Sequence, residues 1–284
     1  MAIVLDGIVF GLQLSMLAVG LTLVYGLGGV LNLAHGQLVA SAAVTGSVVV
    51  GAGLSPPVAI TLAVLVPGIL GLLLDRTLMR PVYRLAGEPR VLLSLLLTLG
   101  VAFALDGALI HFQPQARLSL SLPGPSVEVL GVTMRSGSVA ASVITVAVLG
   151  VLIGLLRHTR WGRVIRAVAQ DERGAQLCGV NPAAVRSRVF VLSGLLAGLV
   201  AVTQGLVASV GAASGADLTI LALIVTVVGG LGRVSGALSA GVLLGIVHAL
   251  ATHHIGAFFT VVVLLATAML VILVRPSGIL GRAG

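Results

Sequence analysis

The sequence contains no lysine, only one cysteine and few charged residues. The 16 residues counted as lysine plus arginine are all arginines, and a Walker A loop needs a lysine that contacts the phosphates of ATP. The chain therefore cannot hold an ATP-binding site of that kind. Its single cysteine, Cys178, excludes an internal disulfide and a thiolate metal cluster. Charged residues make up 8% of the chain, against about 25% in soluble domains, which excludes a soluble globular fold.

Hydrophobic residues make up 58% of the 284 residues, and the mean hydropathy is +1.21. Several runs, the longest covering 7–74, contain no charged residue at all. Because a membrane-spanning helix needs about 20 mostly apolar residues, we predict an all-α, polytopic transmembrane helix bundle of eight to ten spans, in a single domain over 1–284. The predicted spans lie near 5–26, 36–54, 57–75, 91–111, 138–156, 189–209, 217–232, 236–252 and 256–274.

The arginines lie at the ends of the apolar runs rather than in a stripe with aromatic residues. Although the net charge is +8, this distribution argues against nucleic-acid binding and agrees with the positive-inside rule. The linkers 76–90 and 157–188 hold 4 and 7 arginines, and we expect both in the cytoplasm. Then 14 of the 16 arginines lie inside, and only Arg117 and Arg135 lie outside. The predicted orientation therefore has the N-terminus outside and the C-terminus in the cytoplasm.

The segment 112–137 is expected outside the membrane and contains prolines and glycines typical of a loop. Within it, β-branched residues alternate around Gly131 over 127–135, a pattern that favours a short pair of strands. A plain loop is the alternative. Either structure would form a small extracytoplasmic cap.

A polar cluster interrupts the first charge-free run, where Asn32, His35 and Gln37 have glycines on both sides. Polar side chains at membrane depth usually face a cavity or another polar group, and a helix can break there when its backbone lines a cavity or is buried in protein. We therefore predict that Asn32, His35, Gly36 and Gln37 lie along a substrate path. A loop at the membrane surface is the alternative.

The linker 157–188 contains a second candidate element. Val164, Ala167, Val168 and Asp171 recur at helical spacing before an Asn-Pro pair. A short, basic, amphipathic helix in the cytoplasm suits docking into a groove of a partner protein. The alternative is an interfacial helix that rests on anionic lipid.

The remaining polar residues do not form a catalytic or metal-binding constellation. Asp106, Asp217 and Glu128 are isolated carboxylates without the close partner that acid–base work would need, and the first two are expected near the outer ends of their spans. His253 and His254 lack the third or fourth ligand that a metal site requires. We predict a protein that is not an enzyme and that has no cofactor and no metal.

Four segments in order resemble the high-affinity branched-chain amino acid permeases of ABC importers. The opening reads GLTLVYG and then LNLAHG over 20–36, and the linker reads RAVAQD and LCGVN over 166–181. A glycine-rich turn, expected as a tight helix–helix connection, covers 229–237, and the chain ends with RPSGILG at 275–281. Together the four segments cover the chain from end to end, and the topology matches.

The resemblance implies a passive translocation subunit in the plasma (inner) membrane of a bacterium or archaeon. Such a subunit pairs with a second, homologous permease subunit, two cytoplasmic ATP-binding subunits and an extracytoplasmic solute-binding protein, and it contacts membrane lipid. The linker helix would be the coupling element that sits in a groove of the ATPase. Its candidate residues are Arg166, Ala167, Asp171, Glu172, Gly179 and Asn181.

The coupling segment departs from the usual pattern of ABC permeases, which often reads Glu-Ala-Ala, three residues, then Gly. Here the positions before Gly179 are Arg173, Gly174 and Ala175, although the final glycine is kept. The family includes permeases for urea and other amides, so the solute can be a branched-chain or related amino acid or a short amide. A stand-alone secondary transporter is disfavoured because membrane-buried carboxylates for ion coupling are lacking.

Overall fold

The computed structural model describes residues 1–120, 126–129, 131–275 and 278–279. Parts of the segment 112–137 and of the motif 275–281 therefore lie outside the described residues. A π-helical turn, Asp75–Met79, joins the third and fourth helices. The helices are α1 (Ala2–Gly28), α2 (His35–Gly51), α3 (Pro56–Leu74), α4 (Arg80–Val82), α5 (Glu88–Phe112), α6 (Ser136–His158), α7 (Arg160–Gln170), α8 (Glu172–Leu177), α9 (Pro182–Val207), α10 (Gly215–Gly229), α11 (Val234–His254) and α12 (Ala257–Val274).

Within the described part of the chain, eight helices are long and apolar enough to cross a membrane. A ninth, α2, has 17 residues and is shorter than a full span. Each of the nine predicted spans corresponds to one of these helices, so the predicted all-α, polytopic bundle is confirmed. The predicted glycine-rich turn also joins two helices, since α10 ends at Gly229 and α11 begins at Val234.

The centre of the bundle is formed by α1 and α9, which are buried over most of their length, whereas α5 and α12 expose most of their side chains. The pairs α1–α11 and α3–α9 make the most extensive helix–helix contacts. The first pair approaches through glycines, because a Cβ atom on Gly245 would lie 2.2 Å from the Cα atom of Gly11. Small residues let helices pack closely where lipid supplies no hydrophobic drive.

The predicted loop 76–90 is mostly helical. The third span continues through the π-helical turn into α4, and α5 begins at Glu88, so only residues 83–87 lie between helices. Single π-turns inside α-helices are rare, and many of those that are known lie at functional sites. Here the turn begins at Asp75, whose side chain is 2% exposed, so a residue that the sequence suggests as the end of a span is held inside the protein.

The segment 112–137 contains the predicted strand pair. Strands β2 (Val127–Val129) and β3 (Val132–Met134) pair antiparallel, and Gly131 at the turn has a φ of 75° that glycine adopts without strain. A second pair links this segment to the chain after α9, because β1 (Arg117–Leu118) is antiparallel to β4 (Val210–Gly211). The plain-loop alternative is therefore wrong for the described residues.

Candidate functional site

The chain turns back into the bundle between α1 and α2. Helix α1 ends at Gly28 and is capped by Gly29, whose φ of 61° is left-handed and whose amide donates to the Tyr25 carbonyl at 2.8 Å. Residues 29–34 are not helical, and α2 begins at His35 beside Leu17. Since Leu17 lies 11 residues before Gly28, the non-helical chain runs back along α1 by about 16 Å at 1.5 Å per residue. We call residues 29–34 the re-entrant segment.

Hydroxyl groups of α5 satisfy the backbone of the re-entrant segment. The Leu31 amide donates to Ser94 Oγ at 3.2 Å, and the Leu33 amide donates to Thr98 Oγ1 at 3.0 Å. Thr98 Oγ1 also lies 3.2 Å from the Leu31 carbonyl oxygen. Ser94 and Thr98 are both fully buried. A buried backbone group without a partner costs as much as a lost hydrogen bond, so these hydroxyls allow non-helical chain inside an apolar bundle.

A hydroxyl of α10 holds the junction between the re-entrant segment and α2. Thr219 Oγ1 accepts from the Gly36 amide at 3.0 Å and lies 3.2 Å from the Leu33 carbonyl oxygen. The backbones are in close contact here, because a Cβ atom on Gly36 would lie 2.0 Å from the carbonyl oxygen of Gly215. Glycine at position 36 therefore lets the first turn of α2 pack on the first turn of α10.

His35 is fully buried between α1 and α9. Its Nε2 atom lies 3.0 Å from the Leu17 carbonyl oxygen, and its Nδ1 atom lies 3.4 Å from Ser193 Oγ. Because a carbonyl oxygen can only accept, Nε2 carries the hydrogen, and Nδ1 of a neutral ring accepts from the serine hydroxyl. A Cβ atom on Gly20 would lie 2.9 Å from the imidazole, so this glycine provides the space for the ring.

Asn32 and Gln37 are buried polar residues with incomplete hydrogen bonding. Asn32 Oδ1 accepts from the Ala34 amide at 3.1 Å, and Gln37 Nε2 donates to Asp106 Oδ1 at 2.9 Å. The other amide atoms, Asn32 Nδ2 and Gln37 Oε1, are buried without a hydrogen-bond partner. Nearly all buried polar groups in proteins are paired, so these two atoms are exceptions to the usual pattern.

The structure thus brings Asn32, His35, Gly36 and Gln37 together inside the bundle. The three polar side chains are at most 2% exposed, so they are closed off from solvent in this conformation. Sequence reasoning missed the residues that hold this cluster. They are the hydroxyl and carboxylate side chains of Ser94, Thr98, Asp106, Ser193 and Thr219.

The residues in the linker 157–188 form two short helices rather than one. The chain breaks at Asp171, whose side chain accepts from the Arg173 amide at 3.0 Å and caps α8. Helix α7 buries Ile165 and Val168, whereas Ala167 is exposed. The predicted short amphipathic helix is therefore present as α7, but it ends at Gln170 instead of continuing toward Asn181, because the Asp171 side chain caps a new helix.

The predicted coupling residues lie along the outside of these two helices and of the turn that follows. Arg166 is exposed and donates to the Leu156 carbonyl at the end of α6. Gly179 is exposed with a φ of 81°, and Asn181 caps α9 through a hydrogen bond from the Ala184 amide at 3.2 Å.

Two further residues of this segment stand out. Glu172, the first residue of α8, forms an ion pair with Arg186 of α9. Leu177, the last residue of α8, is 91% exposed, which is unusual for a leucine outside the lipid-facing helices.

In the described part of the chain, no group of three or more His, Cys, Asp or Glu residues could hold a metal ion.

Comparisons with known proteins agree on one family. A family model described as branched-chain amino acid transport system / permease component matches residues 3–274. The high-affinity branched-chain amino acid transport system permease protein BraD of Pseudomonas aeruginosa is 30% identical over 293 residues, covering 98% of this chain and 94% of BraD. LivH of Escherichia coli K12, a permease protein of the same description, is 27% identical over 292 residues, covering 98% of this chain and 94% of LivH.

The fold is also similar to a solved structure. PsaBC from Streptococcus pneumoniae, in complex with Fab, has a TM-score of 0.52 at 10% identity, covering 98% of this chain and 93% of that chain. At this identity the similarity concerns the fold alone. The chain has eight helices long and apolar enough to cross a membrane in its described part, and its relatives are permeases. It is therefore a multi-pass membrane protein with a permease role. Since the family model and BraD both match nearly the whole chain, this protein belongs to the family of branched-chain amino acid transport system permease components.

Proposed function

We propose that this chain is the membrane subunit of an ABC importer and forms the translocation path for branched-chain or related amino acids. The observation that carries the proposal is the alignment of relatives named as branched-chain amino acid permeases with 98% of the chain. The chain contains no lysine for a Walker A loop. Separate ATPase subunits therefore drive transport, and this chain has no enzymatic role.

In this proposal the chain lies in the plasma membrane of a bacterium or archaeon, surrounded by lipid, with its N-terminus outside and its C-terminus in the cytoplasm. The segments 76–90 and 157–188 face the cytoplasm because they hold most of the arginines. The segment 112–137 faces outwards, toward an extracytoplasmic solute-binding protein. A second, homologous permease subunit and two cytoplasmic ATP-binding subunits complete the importer.

The substrate path passes the cluster of Asn32, His35, Gly36 and Gln37. The start of α2 lies inside the bundle and carries the partial positive charge of a helix N-terminus, and the Ala34, His35 and Gly36 amides there donate to protein acceptors in this conformation. Such an end can bind the carboxylate of an amino acid without a charged side chain. The unpaired amide atoms of Asn32 and Gln37 can serve the remaining polar groups of the solute.

ATP-driven movement enters through the coupling segment, which we define as α7, α8 and the turn to α9. The exposed side chains of this segment dock in a groove of the ATPase, and ATPase closure pushes the two helices and rocks the bundle between inward-open and outward-open states. The proposed contact residues are Arg166, Ala167, Asp171, Glu172, Gly179 and Asn181.

Two alternatives remain distinguishable by experiment. A permease for urea or other short amides would have the same fold and the same ATPase partners, since the binding protein selects the solute. A stand-alone secondary transporter would have no ATPase partner. The only carboxylate in contact with the polar cluster that the described residues show is Asp106, which is half-buried and so is a weak candidate for ion coupling.

The test is affinity purification of the tagged chain in mild detergent, followed by uptake assays in proteoliposomes. We expect two ATP-binding subunits and a second permease to co-purify, and we expect ATP-dependent uptake of leucine, isoleucine or valine with the binding protein present. Uptake of urea alone would favour the amide permease. Recovery of the chain alone, under conditions that preserve a control ABC complex, would contradict the importer assignment.

A further inference from the structure

Arg186 is a charged residue buried at the start of α9. It is 6% exposed, and its Nη2 atom forms the ion pair with Glu172 of α8. Its guanidinium carbon lies 4.0 Å from the centre of the Tyr83 ring, in a cation–π contact. A buried charge is tolerated only when it is paired, so the position of this guanidinium is set jointly by α8 and by Tyr83.

Tyr83 connects this guanidinium to the last residue of α1. A Cβ atom on Gly28 would lie 3.0 Å from the ring atom Cε1 of Tyr83 and 3.3 Å from its hydroxyl oxygen. The ring of Tyr83 therefore contacts both the guanidinium of Arg186 and the backbone of Gly28. The next residue, Gly29, begins the re-entrant segment.

Arg90 of α5 reinforces the same contact. Its Nη2 atom donates to the Tyr83 carbonyl at 3.3 Å, and its Nη1 atom donates to the Gly28 carbonyl at 3.3 Å. The end of α1 and the backbone of Tyr83 are thus held by one guanidinium. Since a planar guanidinium is preorganised for several hydrogen bonds, displacement of Tyr83 is passed to Gly28 through Arg90 as well as through the ring.

Asp75, the first residue of the π-helical turn, lies beside Arg186 and Tyr83. Its carboxylate accepts from the Ser187 hydroxyl, in the residue next to Arg186, and Arg186 and Arg80 are charged neighbours. Burial raises the pKa of the Tyr83 hydroxyl above its ordinary value, and the nearby Asp75 raises it further. The phenol therefore stays protonated, and Tyr83 is a neutral side chain that contacts Arg186 of α9 and Gly28 of α1.

We propose that Arg186 and Tyr83 are positioning residues that transmit the displacement of α8 to the re-entrant segment. This inference rests on the proposed function, because it requires an ATPase that moves the coupling segment. Helix α8 has only six residues and lies between the break at Asp171 and the left-handed Gly179, so it can move as a unit. The re-entrant segment is held largely by side-chain hydroxyls, which rearrange more easily than a helical backbone.

The test compares transport with ATP hydrolysis in the complete importer, reconstituted in proteoliposomes with its binding protein and supplied with leucine, isoleucine, valine or urea. The variants are Arg186→Gln and Tyr83→Leu. We expect each to assemble and to hydrolyse ATP, while the solute transported per ATP falls about tenfold, within the usual range of coupling between sites. The matched control is Arg188→Gln, which removes an exposed arginine of the same helix and should leave the ratio unchanged.

Tyr83→Phe separates positioning from stability, because it keeps the ring on Arg186 and Gly28 and should keep the ratio of the wild type. If Arg186→Gln fails to accumulate, the pair Tyr83→Phe and Tyr83→Leu decides the question. A ratio that is unchanged in Tyr83→Leu, or that falls equally in Arg188→Gln, overturns the relay and leaves the proposed function intact. A wild-type complex that transports none of the four solutes at the expense of ATP overturns both.

Discussion

The imidazole of His35 hydrogen-bonds the carbonyl oxygen of Leu17, in the interior of α1, at 3.0 Å. The contact fixes the first residue of α2 beside a point 11 residues before the end of α1. Helix α2 therefore begins within the bundle rather than at its surface. The re-entrant segment and His35 are held by hydrogen bonds to side chains of α5, α9 and α10. Single substitutions at these contacts therefore test the arrangement.

Replacing His35 by leucine should impair uptake more than it lowers the amount of protein. The change removes the hydrogen bond to Leu17 and leaves the Ser193 hydroxyl without its acceptor, which costs about 1–3 kcal/mol for a buried polar group. His35→Gln is the control, because its amide can still donate a hydrogen bond. Uptake per amount of importer and thermal unfolding of the purified chain are the measurements. Unchanged uptake in His35→Leu would argue against a substrate path at this position.

Gly36→Ala should destabilise the protein because the added methyl would meet the Gly215 carbonyl oxygen at 2.0 Å. Overpacking of this kind costs typically about 1–3 kcal/mol, and a backbone neighbour that cannot shift puts it at the upper end. Gly51→Ala, at the end of the same helix, is the matched control. Its Cβ atom would have no neighbour within 4 Å, so alanine at this last position of the helix should leave the melting temperature unchanged or slightly raised. Equal melting temperatures for the two variants in detergent would show that the close approach is absent.

Thr219→Val tests whether a hydroxyl holds the junction of the re-entrant segment and α2. The two side chains have similar shapes, but valine leaves the Gly36 amide without its acceptor, at a cost of about 1–3 kcal/mol. Thr219→Ser keeps the hydroxyl and should recover most of that stability. Thr267→Val is a control of the same chemistry, since that hydroxyl bonds only to its own helix at Val263 in the described structure. An equal decrease in the unfolding temperature of Thr219→Val and Thr267→Val would contradict the role of Thr219.

The sequence predicts the spans well because charged side chains are costly in lipid, so the membrane-spanning segments are runs without charge. The predicted span 57–75 is a helix at Pro56–Leu74, for example, and the predicted span 256–274 is a helix at Ala257–Val274. The continuation of α3 beyond Asp75 could not be predicted, since that carboxylate is buried against Ser187, a residue 112 positions away in the chain. The partnership of Gln37 and Asp106 was missed for the same reason. Hydrogen bonds between distant spans leave no periodicity in the sequence.

Leu177→Ser should weaken association with the ATPase while leaving membrane insertion intact. Leu177 is 91% exposed at the end of α8, so its replacement removes little packing within the chain, and an exposed apolar side chain is a natural anchor at an interface. If Leu177 is a central anchor of the interface, its loss costs about 2 kcal/mol of binding free energy, or roughly 30-fold in affinity. The measurement is the amount of ATPase that co-purifies with the tagged chain at several detergent washes.

The matched control for Leu177 is Leu85→Ser, the same chemical change at a leucine 37% exposed in the other predicted cytoplasmic segment. If the coupling segment docks on the ATPase, Leu177→Ser lowers recovery of the ATPase and Leu85→Ser does not, because only the first residue belongs to the docking surface. Lower recovery with both variants would indicate a general loss of solubility or assembly. Full recovery with Leu177→Ser would mean that this exposed leucine lies outside the contact, and that the interface is carried by the polar residues of the coupling segment.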